Sequence, residues 1–165
     1  MRTVSALTLA LLAFAPLTAG AAGDPYSAIE QMRTAFSGVQ SVQLVERFSN
    51  GAVATIQLAP SAAPRVAAAG VSNNQLLLDY ATQPGGDRST DVRQLFTVTP
   101  LGHKSLYGMN VEGYRLVDRS GVIETVWINA HDLPVSMHVE ANGQSMDVLY
   151  GDYGNPTYFA AKPKR

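Results

Sequence analysis

The sequence predicts an α+β domain built on one curved antiparallel β-sheet with few helices. Two Asn-Gly pairs, at 50–51 and 142–143, lie between stretches of alternating apolar and polar residues, a pattern typical of β-hairpins. A strong helical pattern occurs near the N-terminus, and the strand patterns that follow succeed one another through short turns. Because short turns join antiparallel neighbours and helices do not alternate with strands, a parallel sheet is not expected.

The first 22 residues are typical of a secretory signal peptide. Arg2 precedes an apolar run from Val4 to Leu17, and small residues follow that run. The run has 14 residues, which is shorter than the roughly 20 residues that a bilayer-spanning helix needs. We therefore expect cleavage near Ala21 or Ala22, a periplasmic or secreted product, and a single domain over residues 23–165.

A helix is predicted from Pro25 to Ser37. Asp24 can cap its N-terminus, and proline suits the first helical position. Ile29, Met32 and Phe36 recur at spacings of three and four residues, which places them on one apolar stripe. That stripe has to pack against another part of the domain.

Alternation with a period of two residues predicts the strands, although two segments are less regular. Glu46 interrupts one apolar face of the first strand, and segment 92–98 fits either a short helix or a strand. Pro100 is expected to end that segment. Strands are predicted over residues 42–48, 54–58, 65–69, 76–80, 110–118, 122–129, 135–140 and 146–150.

One helix, with a second short helix as an open alternative, is too little to cover such a sheet, so the sheet is expected to curl. Its concave face would then either be filled by core side chains or keep a cavity for an apolar ligand, and the residue pattern allows both. Apolar side chains at inward positions are the candidates for either role. These candidate cavity residues are Met32, Phe36, Leu44, Phe48, Ile56, Leu58, Leu76, Leu78, Tyr80, Val126, Ile128, Met137, Val139, Met146 and Val148.

The sequence contains none of the motifs that mark common catalytic sites. G-x-S-x-G, H-E-x-x-H, the Walker loop and G-x-G-x-x-G do not occur, and there is no cysteine to act as a nucleophile. His103, His131 and His138 are scattered along the chain and are expected at the surface. Glu124 and Glu140 are expected on solvated strand faces. We therefore expect no catalytic residue, no metal site and no cofactor.

Gly85 and Gly86 lie in a polar loop. Adjacent glycines can bind an anion through their backbone amides, but a flexible turn is the commoner arrangement. The chain has 12 Lys and Arg against 13 Asp and Glu, without a basic stripe, so nucleic-acid binding is not expected. Without cysteine, stability has to come from the core rather than from disulfides. We expect a monomer.

Two groups of residues carry a family resemblance. In the N-terminal half, a capped helix and a strand pair are followed by Pro64-Arg65 and by Asn73–Tyr80. Further along the chain come Gly102–Gly108 with Tyr114, Trp127-Ile128-Asn129, Asp132–Val135, Asn142-Gly143, Tyr158-Phe159 and Pro163. Together these segments are similar to those of the LolA-like superfamily, which includes periplasmic carriers of outer-membrane lipoproteins.

The resemblance implies an unclosed β half-barrel whose helices cover an apolar cavity on the concave face. Such carriers bind lipids or the acyl chains of lipoproteins without chemistry, so the implied ligand here is an acyl chain and the implied protein is not an enzyme. Arg47, early in the sheet, is implied as the charged residue that steadies the lid. The alternative for this fold is an envelope stress-sensing or protein-interaction module, whose partner would be an inner- or outer-membrane protein.

Overall fold

The computed structural model describes residues 23–60 and 75–153, with the side chains of 75 and 76 left out. The signal peptide, the strand predicted over 65–69 and the C-terminal part of the family resemblance beyond 153 lie outside the described residues. The elements are α1 (Pro25–Ser37), β1 (Val42–Phe48), β2 (Val53–Leu58), α2 (Gln75–Thr82), α3 (Val92–Leu95), β3 (Phe96–Leu106), β4 (Met109–Asp118), β5 (Ile123–Asn129), β6 (Pro134–Ala141) and β7 (Gln144–Gly151).

The seven strands form one antiparallel sheet in the order β2-β1-β7-β6-β5-β4-β3. The sheet is not closed, because β2 and β3 lie at its two edges. The connection from β2 to β3 joins these edges and contains α2 and α3. The predicted curved α+β half-barrel is thus confirmed. The described residues contain three helices, where the sequence predicted one, with a second short helix as an open alternative.

The strands bury one face against the core, except that β3 is buried only at Phe96 and Val98 and is exposed over most of its length. In β1, Val42, Leu44 and Phe48 are buried and alternate with more exposed residues. The stripe of α1 packs onto this face, and the ring of Phe36 meets the ring of Tyr150 edge-on, with centroids 5.7 Å apart. Burial of such side chains stabilises the fold by about 1.5–3 kcal/mol each.

Helix α1 has the predicted bounds, Pro25–Ser37. The Asp24 carboxylate accepts a hydrogen bond from the Tyr26 backbone N–H at 3.3 Å, and the Gly38 N–H donates to the Ala35 carbonyl at 3.1 Å. These bonds satisfy backbone groups that a helix end would otherwise leave unpaired. The predicted N-terminal cap is therefore confirmed, and Gly38 caps the other end.

The strand predicted over 76–80 is wrong, because this segment belongs to helix α2. Leu77, Leu78 and Ala81 are all buried, which fits one face of a helix and not the alternation of a strand. Three leucines in a row satisfy either period, so the local pattern was ambiguous. Helical structure here covers the concave face, which the strands alone leave open.

Segment 92–98 combines both expected structures, since α3 passes directly into β3 at Phe96. The expectation that Pro100 ends this segment is wrong, because β3 continues to Leu106. Pro100 is tolerated because β3 is an edge strand, and the register shifts between Pro100 and Gly102. Proline within a sheet is confined to such edges and bulges, where its missing N–H breaks no pairing.

Among the described residues, none of the helices is both long and apolar enough to cross a membrane.

Candidate functional site

The candidate cavity residues lie between the sheet and the helices. Thirteen of the fifteen are at most 5% exposed. Tyr80 is partly exposed, and the side chain of Leu76 lies outside the described residues. The sequence pattern thus identified the inward face, while a role in lipid binding stays a prediction. The thirteen buried residues are Met32, Phe36, Leu44, Phe48, Ile56, Leu58, Leu78, Val126, Ile128, Met137, Val139, Met146 and Val148.

Open space lies at the rim of the concave face, where the loop after α2 crosses it. The first cavity, of about 620 Å³, has Tyr80, Leu95 and Phe96 among its lining residues. The second, of about 380 Å³, has Phe36 and Leu58 among its lining residues. We call these the larger and the smaller rim cavity.

Residues 83–90 separate the two rim cavities, and we call them the lid segment. Gln83, Gly86 and Asp87 line both cavities, so one cavity lies on each side of the segment. The lid segment therefore lies between the two rim cavities.

Arg33 ties the lid segment to α1. Its guanidinium donates hydrogen bonds to the backbone carbonyls of Asp87 and Thr90, the latter at 3.0 Å, and to the Glu30 carboxylate at 3.0 Å. The Arg33 side chain is buried, at 1% exposure, whereas the Glu30 carboxylate is partly exposed to water. Glu30 also accepts from the Val92 N–H at 3.0 Å, which holds the start of α3 against the same helix.

Gly85 ties the lid segment to the sheet. Its N–H donates a hydrogen bond to Oε2 of Glu124 at 3.1 Å. Gly85 has φ +77°, and a Cβ there would lie 2.9 Å from Cγ2 of Ile29, so the position admits only glycine without a shift of α1. The glycine pair thus forms a tight turn, and one of its amides binds a carboxyl of the chain itself.

Two glutamates are fully buried on the concave face, at 0% exposure. The expectation that Glu124 lies on a solvated face is wrong, because Glu124 is in phase with the buried Val126. Glu46, which seemed to interrupt a face, is in phase with Leu44 and Phe48 and lies inward with them. Strand phase therefore prevails over the usual preference of a carboxylate for water.

Burial controls the ionisation of both glutamates. Loss of water raises the pKa of Glu46 to about 7. It raises the pKa of Glu124 to about 8, opposed by the Gly85 N–H and by Arg33 and reinforced by the charge of Asp118. Within the described residues, no hydrogen-bond partner reaches Oε1 of Glu124 or either carboxyl oxygen of Glu46.

Two tyrosines fix α2. The Tyr80 hydroxyl donates to Oδ2 of Asp118 at 2.5 Å, which joins α2 to the end of β4. The Tyr150 hydroxyl donates to the carbonyl of Ala81 at 2.8 Å, which joins α2 to β7. Burial raises the pKa of the Asp118 carboxyl, but hydrogen bonds from Tyr80 and Ser120 outweigh this effect. The net result is a pKa below the usual value for aspartate.

The implied lid role of Arg47 does not match its position. Arg47 is exposed on the face of β1 that points away from the helices. The arginine that contacts the lid segment is Arg33, which the sequence interpretation missed. The signal was present, because Arg33 follows Ile29 by four residues and so belongs to the apolar stripe of α1.

The remaining polar candidates lie at the surface, as expected. His103 and His131 are exposed, and His138 is half-buried with its Nδ1 2.7 Å from Oδ1 of Asp147. Glu140 is exposed and lies on the opposite face of the sheet from Glu124, whose register partner in β6 is Val139. In the ranges that the structure describes, no three His, Cys, Asp or Glu side chains come together as a metal site would need.

No family model and no curated protein matches the sequence. Solved structures do match the fold. The lipoprotein LppX of Mycobacterium tuberculosis is 10% identical with a TM-score of 0.55, over 76% of this chain and 92% of its own. LprF from Mycobacterium bovis is 13% identical with a TM-score of 0.51, over 85% and 96% of the two chains. MucB is 16% identical with a TM-score of 0.51, over 87% of this chain and 64% of its own.

Identities this low are evidence for the fold alone. The open seven-stranded sheet with helices on one face matches those structures over most of this chain. The chain therefore shares the fold of these structures, an open half-barrel, which is the architecture that the sequence resemblance implied.

Proposed function

We propose that the protein is a non-catalytic binding protein of the bacterial envelope that shelters the acyl chain of a lipid or lipoprotein. The binding region would be the two rim cavities and the space that opens between them when the lid segment moves. Export through the signal peptide of residues 1–22 is part of this proposal.

The larger rim cavity is the observation on which the proposal depends. Its volume of about 620 Å³ falls within the range of roughly 300–1,000 Å³ typical of small-molecule sites. Tyr80, Leu95 and Phe96 give it an apolar wall beside the core. Each methylene that an acyl chain buries there would contribute about 0.8 kcal/mol to binding.

The lid segment offers a route into the core. It belongs to the connection between the two edge strands, so it can move without breaking any pair of the sheet. The ties to Arg33 and Glu124 hold it closed. An acyl chain that binds the open state more tightly would shift the population towards that state, and release would follow when the lid recloses or an acceptor binds the chain more tightly.

Mass spectrometry of lipids extracted from the purified protein tests the proposal, together with titration by a fluorescent fatty acid. Leu95→Glu places a charge in the wall of the larger rim cavity and should weaken uptake at least tenfold. Leu149→Glu is the matched control, because Leu149 is 38% exposed on the other face of the sheet. A protein that carries no lipid and takes up no fatty acid would contradict the proposal.

A protein-interaction module is the second candidate, favoured by a groove of about 470 Å³ on the outer face of the sheet. Trp127 lies in this groove with Nζ of Lys104 3.4 Å from its ring centroid, and Tyr107 beside it is 58% exposed. Tryptophan and tyrosine often contribute most of the binding energy at interfaces. A stoichiometric partner from envelope extracts that binds the lipid-free protein, and is lost with Trp127→Ala, would favour this function.

A further inference from the structure

The Glu124 carboxyl lies directly behind the lid segment. Its Oε2 accepts from Gly85, and Gly86, the next residue, lines both rim cavities. We propose that Glu124 is a recognition point for a hydroxyl or an ammonium group in the headgroup of the ligand. When the lid segment moves and the Gly85 N–H leaves Oε2, a hydroxyl could pair with the protonated carboxyl, and an ammonium group could pair with its ionised form. This inference rests on the proposed function and adds the chemical class of the ligand.

An unpartnered carboxyl oxygen in a core needs an explanation. The register partners of Glu124 on the neighbouring strands are Leu116 and Val139, both apolar and buried. In the part of the chain that the structure describes, Oε1 has no hydrogen-bond partner. Such a group costs free energy, and an apolar side chain of similar volume would serve a filled core better. A ligand that supplies the missing partner accounts for a carboxyl at this position.

The charges around the site favour a donor over an anion. The larger rim cavity is lined by Asp79, Asp87 and Asp118 against the single basic side chain of Arg119. The smaller rim cavity has Arg33 and Arg88 among its lining residues, but Arg33 already donates to two backbone carbonyls and to a carboxylate. In the larger rim cavity a phosphate or carboxylate headgroup would meet like charges, whereas a hydroxyl or an ammonium group would meet acceptors.

Glu46 provides a matched control inside the same core. It is equally buried and also lacks a hydrogen-bond partner among the described residues. Neither glutamate is among the residues that line the rim cavities, but only Glu124 accepts a hydrogen bond from the lid segment, whereas Glu46 lies on β1. Changing Glu46 therefore alters the number of buried carboxyls without altering the proposed recognition point.

The test compares three lipids of one chain length by displacement of the apolar dye diphenylhexatriene from the full protein. Methyl palmitate has no donor, monopalmitoylglycerol carries hydroxyls, and hexadecylamine carries an ammonium group. The last two distinguish the two possible sources of the donor. We expect at least one of them to bind roughly tenfold more tightly than methyl palmitate, the factor of one hydrogen bond.

Glu124→Met, an apolar side chain of similar length, should abolish this preference. Because Glu124 also holds the lid segment, the readout is the ratio of the affinities for the three lipids within each variant and not the absolute affinity. Glu46→Met should retain the preference. Glu124→Leu is the second variant if Glu124→Met does not fold. Equal affinities in the wild-type protein, or a preference that persists without Glu124, would overturn the inference alone. If neither the dye nor any of the lipids binds, the proposed function fails as well.

Discussion

The hydroxyl of Tyr150 donates a hydrogen bond to the carbonyl of Ala81, joining the last strand of the sheet to the last turn of α2 at 2.8 Å. Both residues are at 0% exposure, so water cannot replace this bond if it is lost. Together with the bond from Tyr80 to Asp118, it sets how firmly α2 covers the concave face.

Tyr150→Phe should lower the free energy of unfolding by about 1–3 kcal/mol, because it leaves the Ala81 carbonyl buried and unpaired. Urea unfolding followed by circular dichroism measures this. Tyr107→Phe, at a tyrosine that is 58% exposed, should change the midpoint little. Equal effects of the two substitutions would show that the buried bond contributes no special stability.

Arg33→Met should loosen the lid segment, because it removes the bonds to the carbonyls of Asp87 and Thr90. We expect a loss of about 2–4 kcal/mol in stability, since buried polar groups lose their partner. Hydrogen exchange over residues 83–90 should accelerate more than exchange over the strands. Arg47→Met is the control and should leave exchange of the lid segment unchanged; an effect as large as that of Arg33→Met would restore the lid role to Arg47.

Gly85→Ala should destabilise the protein more than Gly51→Ala. Both glycines have positive φ, +77° and +85°, so both substitutions carry the backbone cost of about 1–2 kcal/mol. Only Gly85 adds a clash, since its Cβ would lie 2.9 Å from Ile29, whereas Gly51 has open space around it. The difference between the thermal midpoints of the two variants measures the cost of the clash with Ile29. Equal midpoints would mean that α1 shifts to accommodate the added methyl group without loss of stability.

Stability should fall as the pH rises from about 4.5 towards 8. The pKa of Glu46 is raised to about 7 and that of Glu124 to about 8 in the folded protein, from an ordinary value of 4.5. The folded state therefore binds more protons than the unfolded state in this window, and the contribution of both groups is lost as the pH passes their folded-state pKa values.

The loss should amount to a few kcal/mol, at roughly 1.4 kcal/mol per pKa unit. Urea midpoints at pH 5, 6.5 and 8 measure it, and Glu46→Gln should flatten the profile. A midpoint that is constant or rises over this range would mean that the buried carboxyls gain partners or water in solution.

The local sequence pattern was sufficient to predict a helix or a strand where only one hydrophobic period fitted the segment. Helix α1 has its cap, its proline and its stripe within 14 residues, from Asp24 to Ser37, so its bounds could be read directly. The hairpin turn at Asn142-Gly143 likewise has the positive φ values, +52° and +74°, that this residue pair favours. Helix α2 could not be predicted from local pattern, because its consecutive leucines fit the period of a helix and that of a strand equally well. Packing of this segment over the concave face of the sheet favours the helix.

The sequence pattern identified the inward apolar face, but the charged residues of the candidate site were missed for a different reason. Glu46, Glu124 and Arg33 each lie in phase with apolar neighbours, but a charged residue is normally assigned to the solvent side. Their positions in phase with buried apolar neighbours could have identified these three residues as inward-facing. The contact between Gly85 and Glu124 spans 39 residues and depends on where the β2–β3 connection crosses the sheet, which no local pattern specifies.

The strand order has a consequence for when the molecule can form. β1, the first strand, has its place between β2 and β7, and Phe48 pairs with Met146 across 98 positions of the chain. Contacts between residues so distant in sequence form slowly, because the intervening chain loses conformational entropy before the pairing of the strands compensates for it. The pairing of β1 with β7 therefore stays unmade until β7 has been synthesised, so the sheet is completed late in the making of the chain.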